Sequence, residues 1–234
     1  MIKKLIIFFV LFSICNSCFA GVDFDGDDVM YGNDLGTHNA GTIALWVNGD
    51  GFDSTDWQGI FTGDHASGDY YEIFSYGDGT ISLVWNVWKA NVNNDTWYHV
   101  LIKWDGTDMA AYLDGVVVGS TGNTDDWDFP DPALGVYADA SYFDGTISEF
   151  YMWDTALTQT EITILAKSKV KGIGLQIQPT NLITYLPMDD AADGVSADSK
   201  VFIDRSGNGN SFTAYDGAND AGCLGKGEEV LSYP

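Results

Sequence analysis

A chain with 34 Asp and Glu residues among 234 raises acid–base hydrolysis first. Cleaving a glycosidic bond takes two carboxylates flanking that bond, and a β-strand presents such a pair two or four residues apart on one face. Here Glu72 and Glu149 each stand alone, with no second carboxylate two or four residues away. The three histidines, His38, His65 and His99, lack the His-Glu-x-x-His spacing of a zinc hydrolase, and no Gly-x-Ser-x-Gly nucleophile turn occurs. These residue types point to binding rather than to bond cleavage.

Eight Trp and twelve Tyr offer flat apolar faces. The C–H face of a pyranose stacks on such rings while nearby Asp and Asn bond its hydroxyls. Trp46, Trp85, Trp97, Trp104 and Trp153 fall in strand patterns and are expected in the core. Trp57 and Trp127 fall in polar loops, and Trp88 ends a strand close to Asn91, Asn93 and Asn94. The expected ligand-binding residues are therefore Trp57, Trp88, Asn91, Asn93 and Trp127. The competing role for each Trp is to close a loop over the edge of the fold.

Hard cations want several oxygen ligands from loops. Asp64 and Asp69, in Gly63-Asp-His-Ala-Ser-Gly-Asp69, and Asp23 with Glu149 on the terminal strands are the expected metal ligands, with calcium as the cation. Asp23-x-Asp25-x-Asp27 is no EF-hand, because the sixth loop position is not Gly and the twelfth is not Glu.

The elements that must carry these residues are strands. From Tyr98 the alternate residues Tyr98, Val100, Ile102 and Trp104 are all apolar, and the intervening set is mixed; that period of two describes a strand lying on a core. Asp105-Gly106 and Asp114-Gly115 follow as hairpin turns, so Thr96 to Val118 is a β-meander. Further strands are expected at Gly59 to Thr62, Tyr70 to Tyr76, Thr80 to Lys89, Leu134 to Ala138 and Thr146 to Trp153. In Thr80 to Lys89 the set Ile81, Leu83, Trp85 and Val87 faces the core, which leaves Trp88 pointing outward. Thr158-Gln-Thr-Glu161 is a capping box that opens one short helix, Gln159 to Lys167, with Ile162, Leu165 and Ala166 on one stripe.

The run Trp97-Tyr-His-Val, then Trp104-Asp-Gly, then Tyr112-Leu-Asp-Gly resembles the laminin-G-like, pentraxin-like branch of the concanavalin A-like jelly-rolls. Phe143-Asp-Gly-Thr-Ile-Ser-Glu149 resembles that family's late strand, and Ala156-Leu-Thr with Glu161-Ile162 resembles the helix after it. Val22 to Gly26 and Thr42 to Val47 are expected strands by the same resemblance. The resemblance covers about Val22 to Lys171. It implies an all-β fold, a concanavalin-type jelly-roll β-sandwich of two antiparallel sheets with one short helix near 159–167. The superfamily includes glycosidases, but their Glu-x-Asp-x-x-Glu strand is absent here. Its relatives often hold a structural calcium, with Asp just before the late-strand Glu; this chain has Ser148 there.

Residues 1–20 read as a secretory signal. Lys3-Lys4 precede an apolar run from Leu5 to Ile14, and a small-residue site at Cys18-Phe19-Ala20 comes before Gly21. Removing it lowers Lys+Arg from 10 to 8 while Asp+Glu stays at 34, giving a charge of 8 − 34 = −26. Only Cys223 then remains, so the mature chain has no intrachain disulfide and depends on apolar burial. No Lys or Arg occurs between Leu5 and Trp88. So acidic a surface repels phosphate backbones and anionic lipid and suits neutral ligands and divalent cations. Residues 21–171 form the sandwich domain. Residues 172–234 are an extension, expected either to pack on the sandwich or to be partly disordered; in relatives a segment like Asp204-Arg-Ser-Gly-Asn-Gly-Asn210 precedes the opening strand. The composite expectation is a secreted or periplasmic, non-catalytic recognition module for glycan, with a structural or adhesive surface protein as the alternative and a diverged glycosidase as the third.

Overall fold

The computed structural model describes residues 18–64, 72–84, 88–123, 125–137, 140–168, 170–190, 198–215 and 225–230, with backbone alone for 18–20 and 225–230. His65, Asp69 and Trp85 lie outside the described residues, as does nearly all of the expected signal segment.

Strands dominate. The first half of the chain supplies β1 (Cys18–Asp25), β2 (Val29–Tyr31), β3 (Thr37–His38), β4 (Gly41–Gly49), β5 (Gln58–Thr62), β6 (Glu72–Ser75), β7 (Thr80–Leu83) and β8 (Trp88–Asn91). The meander follows as β9 (Tyr98–Trp104), β10 (Asp108–Leu113) and β11 (Val116–Gly122). Then come β12 (Trp127–Asp128), β13 (Ala133–Leu134), β14 (Val136–Tyr137), β15 (Ser141–Tyr142) and β16 (Asp144–Trp153). After the helix α1 (Gln159–Lys167) lie β17 (Leu182–Leu186), β18 (Val201–Phe202), β19 (Phe212–Tyr215) and β20 (Gly225–Val230).

Two antiparallel sheets form the sandwich. One runs β11-β10-β9-β4-β16-β1-β20, with β17 also paired to β16; the other runs β18-β19-β2-β13-β5-β6-β7-β8. The core between them holds Phe24, Ile43, Leu45, Phe61, Ile73, Ile81, Val100, Ile102, Trp104 and Phe150. The alternation read at Tyr98–Trp104 lands as expected. Its apolar set enters this core, while Leu101, from the other set, belongs to a second cluster with Tyr112, Tyr151, Trp153, Ile162, Leu165 and Tyr185. That second cluster lies on the outer face of the first sheet, under α1. A sheet covered on both faces buries every residue of β4, so its central strands lose the polar half of the alternation.

Helix α1 begins as the capping box requires. Thr158 accepts from the Glu161 N–H, and the Glu161 carboxylate accepts from the Thr158 N–H at 2.8 Å. Both ends of the meander are turns, of different construction. Asp114 (φ 52°) and Gly115 (φ 78°) form a two-residue hairpin joining Leu113 to Val116. At the first turn only Gly106 has positive φ. There the Asp105 carboxylate closes a longer loop by accepting from the N–H groups of Thr107 (3.0 Å) and Asp108 (2.8 Å).

Two expected strands are broken. Leu134 to Ala138 is interrupted at Gly135 (φ 85°), which parts β13 from β14. Thr80 to Lys89 is a hairpin rather than one strand. Val84 has φ 58°, and Leu83 pairs with Trp88 across the turn. The reversal changes which residues face inward, with consequences for Trp88 below.

Beyond residue 172 the chain adds strands to both sheets. β17 lies against β16, while β18 and β19 extend the second sheet beside β2. About 60 residues bury too little apolar surface to stand alone, so their strands use the sandwich as template. Asp204 ties this segment down. Its carboxylate accepts from the N–H groups of Tyr185 (2.9 Å), Ser206 (2.8 Å) and Asn210 (3.0 Å) and from the Ser206 hydroxyl (2.8 Å).

Candidate functional site

The outer face of the second sheet carries an aromatic cluster. Ile73 of β6 points into the core, so its neighbours Glu72 and Phe74 point the other way. Phe74 stacks on Trp57 (ring centroids 5.6 Å, 25°) and on Tyr137 (5.8 Å, 18°). Tyr76 meets Trp57 edge-on at 5.2 Å. Lys89 places its ammonium 3.4 Å over the Tyr76 ring, a cation–π contact. Tyr137 reaches this face because β14 passes closely over β5. A Cβ at Gly59 would lie 2.2 Å from the Tyr137 nitrogen, so only glycine permits the approach. Burial, with the Glu72 carboxylate nearby, raises the pKa of the Tyr137 phenol.

Beside this cluster opens a depression of about 550 Å³. The loop Ser54–Gln58 lines it from the β4–β5 side and Ala140–Tyr142 from the β14–β15 hairpin, with Gly26 and Asp144 completing the lining. Trp57 is the aromatic both walls share with solvent: it is 45% exposed, whereas Phe74 beneath it is buried. An exposed ring backed by a second ring, next to hydroxyl and carboxylate groups, has the surface chemistry that a sugar face requires.

Gly26 also marks an acidic turn. Carboxylate oxygens of Asp25, Asp27 and Asp28 lie within 4.8 Å of one another. Asp28 is fully buried and accepts from the Asp25 N–H at 3.0 Å. Burial, followed by the charges of Asp28 and Asp27, pushes the Asp25 carboxyl up to about 7. Three hard oxygen donors converging on one point fit a calcium ion, which would need further oxygens to complete its shell.

Among the five expected ligand residues, only Trp57 lines this depression. Trp127 is 1% exposed and stacks on Trp104 at 4.2 Å and 14°; its polar loop folds it back over the core. Trp88 faces inward, because the turn at Val84 restarts the alternation. Its indole packs against the main core and lies over Gly119 of β11, where an added Cβ would meet it at 2.2 Å. Asn93 spends its backbone and side-chain N–H groups on the Tyr98 hydroxyl, at 3.0 and 3.3 Å. Asn91 is exposed on β8, outside the lining.

Among the described residues, the expected metal ligands Asp23, Asp64 and Glu149 are not brought together, and Asp69 lies outside those residues. Glu149 is sealed under the first sheet's outer cluster. Tyr185 donates to it at 2.6 Å, Tyr151 donates through a short hydrogen bond, and the Gly172 N–H donates at 2.8 Å. Burial raises its pKa against the pull of those donors. Asp23 instead accepts from the Thr146 hydroxyl at 3.1 Å. Asp64 sits in a parallel bridge with Asp131.

Sequence reasoning passed over Phe74, Tyr76, Tyr137 and Tyr142 as ligand residues, and weighed Asp25 and Asp27 only against the EF-hand pattern. A signal existed for two of them: in Glu72 to Tyr76, Phe74 and Tyr76 alternate with Ile73, so one outward aromatic face was readable. Tyr137 and Tyr142 arrive from 80 and 85 residues beyond Trp57, and no spacing rule joins them to it.

Comparison with known proteins supports this fold. A profile for the concanavalin A-like lectin/glucanases superfamily matches residues 24–163. No curated protein matches the chain in sequence. A candidate carbohydrate-binding protein from Bacteroides ovatus superposes with a TM-score of 0.61 at 15% identity, over 86% of this chain and 61% of that one. The chain thus spans less than two thirds of that protein's length. A heptameric SAP-like pentraxin from Limulus polyphemus gives 0.50 at 17% identity, over 64% of this chain and 83% of its own. The binding domain of botulinum neurotoxin serotype D gives 0.50 at 14%, over 63% of this chain and 41% of its own. These likenesses concern the fold. With the profile covering more than half of its length and a laminin-G-like sandwich in its structure, the chain belongs to the concanavalin A-like lectin/glucanase superfamily.

Proposed function

We propose that this chain is an exported, non-catalytic recognition module that binds glycan at the depression beside Trp57. The observation that carries this reading is the Trp57 ring, 45% exposed, backed by Phe74 and lining a cavity with Tyr142 and the polar side chains of Ser54, Thr55, Asp56, Gln58, Ser141 and Asp144. The description of the Bacteroides protein as a candidate carbohydrate binder is in keeping with it. A non-catalytic role is supported by the strand glutamates: Glu72 is 0% and Glu149 2% exposed, and a general acid or nucleophile must touch its substrate. Export rests on the pattern of residues 1–20. In the same proposal, calcium is held by Asp25, Asp27 and Asp28 and props the rim of the depression. The test is a glycan array with wild type and Trp57→Ala, each with and without chelator and with folding checked by circular dichroism. Sugar binding that survives Trp57→Ala would remove the site, and release of reducing sugar would remove the non-catalytic half.

One observation favours the structural alternative. β11 ends the first sheet with seven residues that include Val116 (68% exposed) and Val117 (54%) and no charge or proline. An edge left this plain is open to pairing. Concentration-dependent self-association, abolished by Val117→Lys while sugar binding stays at background, would favour that reading.

A further inference from the structure

Resting on the glycan reading above, we infer that the depression beside Trp57 selects glycans that carry no carboxylate or sulfate groups. Its formal charges have one sign. Asp56 and Asp144 line it, no Lys or Arg among the described residues does, and Gly26 in its lining is flanked by Asp25, Asp27 and Asp28. Two carboxylates therefore line one small cavity, and three more lie on the turn at Gly26. Lys89, the cation of the aromatic cluster, is set over the Tyr76 ring and takes no part in the lining.

The hydrogen-bonding chemistry runs the same way. Ionised carboxylates accept and never donate, so they are satisfied by sugar hydroxyls, which donate. A uronate or a sulfate ester brings acceptors and like charge to a wall that already has both. The net charge of −24 does not by itself decide this, since charges more than about 10 Å apart are largely screened at ordinary salt. Asp56 and Asp144 line the cavity itself, where a ligand would touch them, and a concave protein wall keeps some of the screening ions out. A divalent cation on the acidic turn would leave Asp56 and Asp144, the two carboxylates of the lining itself, in place, so the sign of the lining survives metal binding.

The experiment is an array of neutral, uronic-acid and sulfated oligosaccharides. It includes cellotetraose, mannotetraose and galactotetraose, each beside its C6-oxidised form, read at low and high sodium chloride with wild type, Asp56→Asn and Trp57→Ala. The expected result is binding of neutral members that is lost in Trp57→Ala. An oxidised form should bind about tenfold more weakly than its parent at low salt, by a margin that narrows as salt rises and narrows again in Asp56→Asn. Asp56 is exposed, so that variant tests charge without threatening the fold. Equal or tighter binding of oxidised or sulfated members at low salt, lost in Trp57→Ala, overturns the inference and leaves the glycan reading standing. Binding to no member overturns both.

Discussion

Replacing Asp204 by Asn tests how the C-terminal segment is held. The change removes one charge and turns one oxygen of four accepted hydrogen bonds into an NH2 donor. Each Asp204 oxygen accepts two bonds: Oδ1 from the Tyr185 and Ser206 N–H groups, Oδ2 from the Ser206 hydroxyl and the Asn210 N–H. Whichever way the amide turns, its NH2 faces at least one backbone N–H. Hydrogen bonds to a charged group contribute about 1.5–3 kcal/mol, and a buried donor left unpaired costs about 1–3 kcal/mol. The Ser206 hydroxyl can rotate and accept instead, so about one backbone bond is lost outright and the rest are weakened. The expected cost is about 3 kcal/mol, or roughly 6–12 °C in Tm for a chain of this size. Acid should erase the difference. Burial opposes ionisation of Asp204, but its hydrogen bonds from Tyr185, Ser206 and Asn210 outweigh it and hold the carboxyl below its ordinary 3.8. Its contribution is therefore present above about pH 4 and is lost as pH falls through the lowered pKa. Urea melts of both proteins at pH 7 and near pH 3 read this directly. Identical melts at pH 7, or a gap that persists unchanged in acid, would refute the reasoning.

Other outcomes follow from the same geometry. Trp127→Ala should cost about 3–5 kcal/mol, as for a large buried aromatic, and should leave sugar binding in the surviving folded fraction intact; Trp57→Ala should reverse that ranking, which paired thermal melts and array binding can check. His99 is 1% exposed, and burial holds its pKa down from 6.5 to about 3. Between those values the unfolded chain binds a proton that the native state refuses, so stability should fall by about 1.4 kcal/mol per pH unit on acidification. A His99→Phe variant should flatten that slope, measured by denaturant melts from pH 7 to pH 4. Calcium at about 100 times its dissociation constant should add about 2.7 kcal/mol of stability. Chelator should reverse the gain and Asp27→Asn should abolish it; a Tm indifferent to calcium would remove the cation from the proposal.

The meander, the helix and the family were legible because each depends on neighbours a few residues apart. Tyr98 to Trp104 repeats with the pleat of a strand, Asp114-Gly115 has the backbone freedom of a tight hairpin, and Thr158 with Glu161 caps a helix end; all three stand in the structure where the residues place them. The fate of individual aromatics was not legible in this way. Polar neighbours around Trp127 suggested exposure, yet the Trp104 ring gives it a stacking partner and the loop closes inward. Trp88 was misjudged by carrying one alternation through Val84, where a positive φ reverses the chain and exchanges the two faces.

The site divides along the same line. Local composition singled out Trp57 as an aromatic in a polar loop, and the acid-rich opening from Asp23 onward was plain. The partners that make a site of Trp57 come from β6 and from the hairpin at 136–142, joined only by sheet packing and by the close approach that Gly59 allows. Residues a few positions apart meet because covalent geometry obliges them to, so sequence alone determined the meander, the helix cap and the acidic sign of the surface. Residues from distant strands meet only where burying two sheet faces lowers the free energy, and that packing decided which tryptophan meets solvent and which carboxylates converge.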